Sequence, residues 1–132
     1  MKGFAPIVVV VAGLAAVGSD LKGRSIGKRY VVVADAHVND LFGEALLATL
    51  HQAGLAAELL TFPRGEASKN LATIGELASR LAQLGIDRRD VLIALGGGVT
   101  GDLTGFLAAV YMRGIPYIQT PTTLLAQVDS SV

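Results

Sequence analysis

Three consecutive glycines, Gly96 to Gly98, stand between an apolar run and a segment with helical spacing. Gly96, Gly98 and Gly101 fit a G-x-G-x-x-G pattern, which is typical of turns that bind the diphosphate of a dinucleotide. A backbone without Cβ atoms approaches a diphosphate closely, and free N–H groups and the positive end of the following helix meet its charge. The same glycines also suit a tight turn that only lets a helix and a strand pack closely. The pattern therefore favours a phosphate site but is weak evidence by itself.

Three carboxylates, Asp35, Glu66 and Asp102, stand at predicted strand ends or helix starts. In the usual dinucleotide fingerprint, an acid about 20 residues after the glycines binds the ribose. Here the next predicted strand ends at Thr120 without an acid, so these three carboxylates are the candidates for ribose contacts. Each also has a structural explanation, because a carboxylate stabilises a turn or the first turn of a helix. Their expected convergence on one edge of a sheet favours a site.

Alternating strands and helices must position these residues. β-branched runs predict the strands, and apolar stripes that end at Gly54 and Gly85 predict the helices. The predicted strands are Ile7 to Val11, Tyr30 to Ala34, Ala56 to Phe62, Val91 to Leu95 and Tyr117 to Thr120, and the predicted helices are Asn39 to Ala53, with the stripe Phe42, Leu46, Leu50 and Ala53, and Ser68 to Leu84, with the stripe Leu71, Ile74, Leu77, Leu81 and Leu84. Continuous apolar strands between such helices predict an α/β fold, an open, doubly wound, mostly parallel sheet with helices on both faces. Ligands of such sheets bind at the carboxyl ends of the strands.

The length predicts one α/β domain over residues 1–132. Of the residues, 52% are hydrophobic and 17% charged, and the mean hydropathy is +0.54. Disorder is excluded, and a formal charge of zero provides no general attraction for nucleic acid or an anionic membrane. Without cysteine there is no disulfide framework, so we expect a cytoplasmic protein. The apolar opening resembles a signal peptide, but Pro6 interrupts it and the run Ile7 to Val11 favours a buried strand.

Two other patterns do not support a site. The stretch Gly13 to Gly18 has the glycine spacing of a P-loop, but Ser19 and Asp20 replace its Lys and Ser/Thr. His37 and His51 are too few for a zinc site in a chain without cysteine. We therefore expect neither a nucleoside-triphosphatase nor a metal site within this chain.

Two stretches resemble the 3-dehydroquinate synthase family. They are GGGVTGDLTGFLAAVYMRGIPYIQTPTTLLAQVDSSV, residues 96–132, and PRGEASKN, residues 63–70. The resemblance implies the Rossmann-like N-terminal domain of an enzyme that converts the sugar phosphate DAHP to 3-dehydroquinate with loss of phosphate. It also implies NAD and a divalent metal, zinc or cobalt, as cofactors, a place in the shikimate pathway of aromatic amino acid biosynthesis, and a homodimer.

The same resemblance implies roles for individual residues. Arg113 would contact the substrate phosphate across a dimer interface, and Asp129 would contact a substrate hydroxyl. No catalytic residue is assigned within the chain. The implied NAD contacts are Asp35, Gly65, Glu66, Lys69, Gly97, Gly98, Val99, Asp102, Thr122, Thr123 and Leu125.

The chain ends where members of this family continue into a helical domain that carries the metal ligands. We therefore expect a fragment that lacks this domain and does not turn over substrate alone. Two alternatives remain from the sequence: an NAD-dependent domain of the glycerol and alcohol dehydrogenase kind, and a nucleotide-binding module without chemistry of its own.

Overall fold

A computed structural model describes residues 7–8 and 14–120. Parallel strands form one five-stranded sheet in the order β1-β5-β4-β2-β3. The strands are β1 (Ile7–Val8), β2 (Arg29–Asp35), β3 (Ala56–Phe62), β4 (Val91–Leu95) and β5 (Tyr117–Thr120), and the helices are α1 (Leu14–Arg24), α2 (Ala36–Val38), α3 (Glu44–Gln52), α4 (Leu71–Gln83) and α5 (Gly98–Val110), with a π-helical turn at Asn39–Gly43 and 3₁₀ turns at Glu66–Ser68 and Tyr111–Arg113. Among the described residues, no helix combines the length and apolar character that crossing a lipid bilayer requires.

Helices cover both faces of this sheet. Leu21 of α1 and Leu50 of α3 pack on one face, and Leu81 of α4 and Leu107 of α5 pack on the other. Every residue of β4 is buried, because the strand lies between two helical layers. Such a strand has no polar face, and this accounts for its continuous apolar sequence. The predicted fold class, an open, doubly wound parallel sheet, is confirmed.

The chain leaves the carboxyl ends of β2 and β4 in opposite directions. After β2 it continues through α3 to β3 on one side, and after β4 it continues through α5 to β5 on the other. Neighbouring strands whose connections diverge in this way leave a crevice outside their carboxyl ends, and ligands of open α/β sheets bind there. The fold therefore places the expected binding crevice between Asp35 and Gly96.

Most predicted strand bounds agree with the structure. β3, β4 and β5 have the predicted ends, and β2 extends one residue further at each end. Ile7 and Val8 form a strand that pairs in parallel with β5, while residues 9–13 of the predicted run lie outside the described part of the chain.

The helices differ more from the prediction. Asn70 caps α4 by accepting a hydrogen bond from the Thr73 backbone N–H at 2.8 Å, so the helix begins at Leu71 instead of Ser68. In this first turn Leu71 is 74% exposed, since no described element covers it. Helix α1 was not predicted. It contains Gly18, where a Cβ would collide with the backbone of Thr49, so glycine lets α1 pack closely on α3.

An ion pair with a buried carboxylate joins the amino ends of β2 and β4. Asp90 is 1% exposed, and its Oδ2 accepts a hydrogen bond from Arg29 Nη2 at 3.0 Å. The backbone N–H groups of Arg29 and Asp87 also donate to this carboxylate, at 3.2 and 2.8 Å. The Arg29 guanidinium further donates to the carbonyl oxygens of Leu84 and Gly85, which directly follow α4. Asp90 and Arg29 thus both find their hydrogen-bond partners within the protein.

Candidate functional site

The candidate site is a crevice at the carboxyl ends of β4, β2 and β3. Its volume is about 240 Å³, which is below the roughly 300 to 1,000 Å³ of a complete ligand pocket. The crevice is therefore large enough for only part of a dinucleotide. It is lined by Asp35, Arg64, Gly65, Gly97, Gly98, Val99 and Thr100.

The glycines of the 96–101 motif have different tasks. Gly96 adopts a φ of +151°, and a Cβ there would lie 2.8 Å from Thr100 Oγ1, so it serves the turn. A Cβ at Gly101 would collide with the Gln119 side chain, so this glycine lets α5 pack on β5. At Gly97 and Gly98 a Cβ would meet nothing within 4 Å. These two glycines leave open the space that a close ligand needs.

The N-terminus of α5 faces the crevice with unsatisfied donors. Gly97 caps the helix and supplies no side-chain hydrogen bond. The first backbone N–H groups of a helix have no partner within it, and together with the helix dipole they attract anions. The open space at Gly97 and Gly98 therefore fits a diphosphate that contacts the backbone directly.

Asp35 lies at the end of β2 and has a structural task as well. Its Oδ1 accepts a hydrogen bond from the Val38 backbone N–H at 2.7 Å and so caps α2. Asp35 thus has the structural role considered from the sequence, in which a carboxylate at a strand end stabilises the turn that follows. It also holds the carboxylate at the crevice, where a ribose hydroxyl donates well to such an acceptor.

The loop after β3 is closed by its own hydrogen bonds. Ser68 is 7% exposed, and its hydroxyl donates to the carbonyl oxygen of Pro63 at 2.6 Å. The Ser68 backbone N–H donates to the Gly65 carbonyl oxygen at 3.1 Å, and Gly65 has a φ of +115°. Sequence reasoning missed both Ser68 and Arg64. Arg64 directly precedes Gly65 at a predicted strand end, but its position alone gave it no role.

Lys69 and Asp102 lie in an adjoining groove between α4 and α5. Lys69 Nζ is 2.7 Å from Asp102 Oδ2, and the hydrogen bond and charge of Asp102 raise the pKa of Lys69. Glu66 adds a weaker attraction to Lys69. Asp102 lies in the second turn of α5, so the alternative explanation, a carboxylate that stabilises the first turn of a helix, does not apply to it. The three predicted carboxylates thus lie at one edge of the sheet, but only Asp35 lines the crevice.

Arg113 lies at the other end of α5. The helix has 13 residues, which is about 20 Å at 1.5 Å per residue. Met112 and Arg113 have φ values of +46° and +67°, and Gly114 has +111°. Consecutive non-glycine residues with positive φ are costly and are often retained at functional sites. Arg113 therefore lies in a strained turn remote from the glycine crevice of its own chain.

Four further predicted residues lie outside the described part of the chain. They are Thr122, Thr123, Leu125 and Asp129. Among residues 7–8 and 14–120, no three His, Asp or Glu side chains lie close enough together to hold a metal ion.

Fold and crevice together define an open parallel α/β domain of the kind that binds nucleotides at the carboxyl ends of its strands. The family profile described as 3-dehydroquinate synthase N-terminal matches residues 59–132. The chain belongs to the 3-dehydroquinate synthase family.

Individual relatives agree with this membership. The chain is 50% identical over 127 residues to a 3-dehydroquinate synthase of Symbiobacterium thermophilum, covering 95% of this chain and 36% of that protein. It thus spans about one third of the length of the relatives it matches.

Solved structures of two sugar-phosphate cyclases have the same fold. A 2-epi-5-epi-valiolone synthase from Streptomyces hygroscopicus, with NAD+ and Zn2+ bound, is 31% identical with a TM-score of 0.76, covering 92% of this chain and 34% of that one. A 2-deoxy-scyllo-inosose synthase complexed with carbaglucose-6-phosphate, NAD+ and Co2+ is 32% identical with a TM-score of 0.75, covering 90% and 32%. A glycerol dehydrogenase from Schizosaccharomyces pombe, 23% identical with a TM-score of 0.65 over 92% of this chain and 29% of that one, shares the fold alone.

Proposed function

We propose that this chain forms the NAD-binding part of a 3-dehydroquinate synthase, which converts DAHP to 3-dehydroquinate with loss of phosphate. The observation that carries the proposal is the open backbone at Gly97 and Gly98, at a helix N-terminus beside Asp35. Family membership and the NAD named with two cyclase structures support it. NAD supplies a reversible oxidation of a substrate hydroxyl, which makes a neighbouring proton acidic enough for phosphate elimination.

In this proposal the chain binds and orients the cofactor. Backbone N–H groups at the start of α5 contact the diphosphate, and carboxylates accept hydrogen bonds from ribose hydroxyls. Asp35 suits this role because its carboxylate is half-buried at the crevice. Asp102 would contact a ribose hydroxyl while its carboxylate also pairs with Lys69. The proposed NAD contacts are Asp35, Gly65, Glu66, Lys69, Gly97, Gly98, Val99, Asp102, Thr122, Thr123 and Leu125.

Arg113 is proposed to act on the substrate of a second subunit, and Asp129 on a substrate hydroxyl. The length of α5 separates Arg113 from the glycine crevice of its own chain. Its guanidinium is exposed and has no ion-pair partner among the described residues. Val110 and Met112 beside it are 50% and 48% exposed, as expected for a surface that a second copy covers. A planar guanidinium suits a phosphate because it donates two parallel hydrogen bonds.

The divalent metal, zinc or cobalt, is proposed to be held by a part of the enzyme that this chain does not include. No described cluster of side chains offers three ligands. A cytoplasmic location, expected from the lack of cysteine, belongs to the same proposal.

Two measurements on the 132-residue chain test this function: calorimetric titration with NAD, and a phosphate-release assay with DAHP, NAD and Zn2+. We expect NAD binding without phosphate release, because the chain supplies the cofactor crevice but no described metal site. Failure to bind NAD would contradict the proposal. Dehydroquinate formation by the chain alone would show that it is more than a cofactor-binding part. Net NADH production from glycerol would instead favour a dehydrogenase, and NAD binding by a full-length protein that leaves DAHP unchanged would favour a module without chemistry.

A further inference from the structure

The turn that carries Arg113 has an unfavourable backbone conformation. Met112 and Arg113 adopt φ values of +46° and +67°, in the left-handed region, and Gly114 follows at +111°. A residue with a Cβ adopts such an angle at a cost in free energy, and the conformation persists only where the surrounding structure enforces it. Two consecutive non-glycine residues of this kind therefore require contacts that hold the turn.

Hydrogen bonds hold this turn on both sides of the strained residues. Before them, the Tyr111 hydroxyl donates to the carbonyl oxygen of Ile86 at 2.8 Å. After them, the Gly114 backbone N–H donates to the Tyr111 carbonyl oxygen at 2.8 Å. The Ile115 N–H donates to the Ala108 carbonyl oxygen, also at 2.8 Å. Of these three bonds, the one from the Tyr111 hydroxyl ties the turn to a distant part of the sequence.

The acceptor of this hydroxyl lies in a well-packed part of the molecule. Ile86 is 3% exposed, and its backbone N–H donates to the carbonyl oxygen of Leu81 in α4 at 3.0 Å. The half-buried Tyr111 ring packs against the hydrophobic core that contains both residues. Burial raises the pKa of the Tyr111 hydroxyl, and the charges of Asp87 and Asp90 raise it further, so the group remains a donor at neutral pH. The turn is therefore anchored to the core.

The Arg113 side chain has no anchor of its own within the described ranges. It is exposed and forms no hydrogen bond and no ion pair with any residue there. Its direction therefore depends on the backbone that carries it, and relaxation of the turn to negative φ would redirect its Cα–Cβ bond. A guanidinium that meets a phosphate through two parallel hydrogen bonds tolerates little displacement.

We propose that Tyr111 is a positioning residue, whose hydroxyl holds the turn in the conformation that directs Arg113 toward the substrate phosphate of a second subunit. The inference rests on the proposed function, because it assumes that Arg113 acts on a phosphate. Tyr111 itself touches neither substrate nor cofactor. It orients the guanidinium before the substrate arrives, which lowers the entropic cost of binding.

Steady-state kinetics of the full-length protein that contains this chain, with DAHP, NAD and Zn2+, test the proposal. Tyr111→Phe removes only the hydroxyl. We expect it to lower kcat/KM for DAHP about three- to tenfold, the size of one lost hydrogen bond. Kd for NAD should not change, because Tyr111 lies at the opposite end of α5 from the glycine crevice.

A double-mutant cycle with Arg113→Ala separates positioning from general stabilisation. Arg113→Ala alone should lower kcat/KM for DAHP about tenfold or more, because it removes a charge-assisted contact. Adding Tyr111→Phe to Arg113→Ala should change kcat/KM by less than about twofold, since no guanidinium is left to orient. A tyrosine that only stabilised the fold would lower kcat/KM equally in both backgrounds.

Amide hydrogen exchange on the 132-residue chain tests the anchor without any substrate. The Gly114 N–H is hydrogen-bonded within the turn, so its exchange rate reports how often the turn opens. Tyr111→Phe should speed exchange at Gly114 about threefold or more, because one hydrogen bond that closes the turn is lost.

Tyr117→Phe is the matched control. Tyr117 is half-buried against the same core, and its hydroxyl lies beside Gly105 of α5 with no hydrogen-bond partner among the described residues. This variant loses the same group and should leave kcat/KM for DAHP and exchange at Gly114 unchanged.

Four results would overturn the inference. They are an unchanged kcat/KM in Tyr111→Phe, an equal loss in the Arg113→Ala background, the same loss in Tyr117→Phe, and unchanged exchange at Gly114. If the full-length protein does not convert DAHP, or if Arg113→Ala leaves kcat/KM unchanged, the proposed function itself is contradicted and the inference falls with it.

Discussion

At the amino ends of the strands, Arg29 forms an ion pair with the buried carboxylate of Asp90, whereas at the carboxyl ends Asp35 and Arg64 line one crevice without pairing. Both edges thus carry an aspartate and an arginine. Asp90 is 1% exposed and accepts three hydrogen bonds, while Asp35 is half-buried and Arg64 is exposed. The amino edge satisfies its charges within the protein, and the carboxyl edge leaves charges free for a ligand. Stability and binding are thus separated along the same strands.

Breaking the amino-edge pair should have the largest effect. We expect Asp90→Ala to lower the free energy of unfolding by about 2 to 4 kcal/mol, because it leaves several buried donors without an acceptor. Urea unfolding measures the change. The carboxyl-edge variant Asp35→Asn should cost less than about 0.5 kcal/mol, since asparagine caps a helix equally well. Equal losses at the two edges would contradict the separation.

Two alanine substitutions in the glycine turn sharpen the comparison within the carboxyl edge. Gly98→Ala should weaken NAD binding about tenfold or more without loss of stability, because its Cβ fills open space that the diphosphate needs. Gly96→Ala should instead lower the free energy of unfolding by about 1 to 3 kcal/mol, since φ is +151° there and Thr100 is close. Calorimetry with NAD and urea unfolding measure the two effects.

Gly75→Ala is the control for this pair. Gly75 lies within α4 and its Cβ would also meet nothing within 4 Å. This variant should gain up to about 1 kcal/mol of stability and bind NAD like the wild type. If Gly98→Ala bound NAD as tightly as Gly75→Ala, the diphosphate would not lie at this turn.

The smallest effect is expected at an exposed pair of the amino edge. The hydrogen bonds and charge of Arg89 lower the pKa of Asp87 from 3.8 to about 2. A carboxylate with a lowered pKa stabilises the fold above its unfolded pKa and loses this contribution as the pH falls through its folded pKa. The wild type should therefore lose more unfolding free energy between pH 4 and pH 2 than Asp87→Asn. Arg89→Ala should likewise reduce the loss of unfolding free energy between pH 4 and pH 2, because it removes the group that lowers the pKa of Asp87. An unchanged loss in that variant would refute the assigned cause.

Much of the sheet could be predicted because its information is local. β4 has the predicted ends, since a strand buried on both faces reads as an apolar run, here bounded by a charged residue and a glycine. Helix α1 could not be predicted, because Gly18 disfavours a helix locally and its reason is the contact with Thr49 in another helix. The Arg29–Asp90 pair joins residues 61 positions apart, and no local pattern indicates such a contact.

The candidate site was predictable in its residue types but not in their separate tasks. The spacing in the sequence does not distinguish Gly96, Gly97, Gly98 and Gly101. Their roles differ in the atoms that an added Cβ would meet: Thr100 at Gly96, Gln119 at Gly101, and nothing within 4 Å at Gly97 and Gly98. Arg64 was missed because its freedom from partners is a property of the folded chain.

The most direct test of the account follows backbone amides during titration of the ¹⁵N-labelled chain with NAD. We expect saturable chemical-shift changes at Gly97, Gly98 and Val99, with smaller ones at Asp35 and none at Asp90, because the ligand contacts only the carboxyl edge. Unshifted Gly97 and Gly98 amides at millimolar NAD, or changes centred on the amino edge around Asp90, would contradict the account.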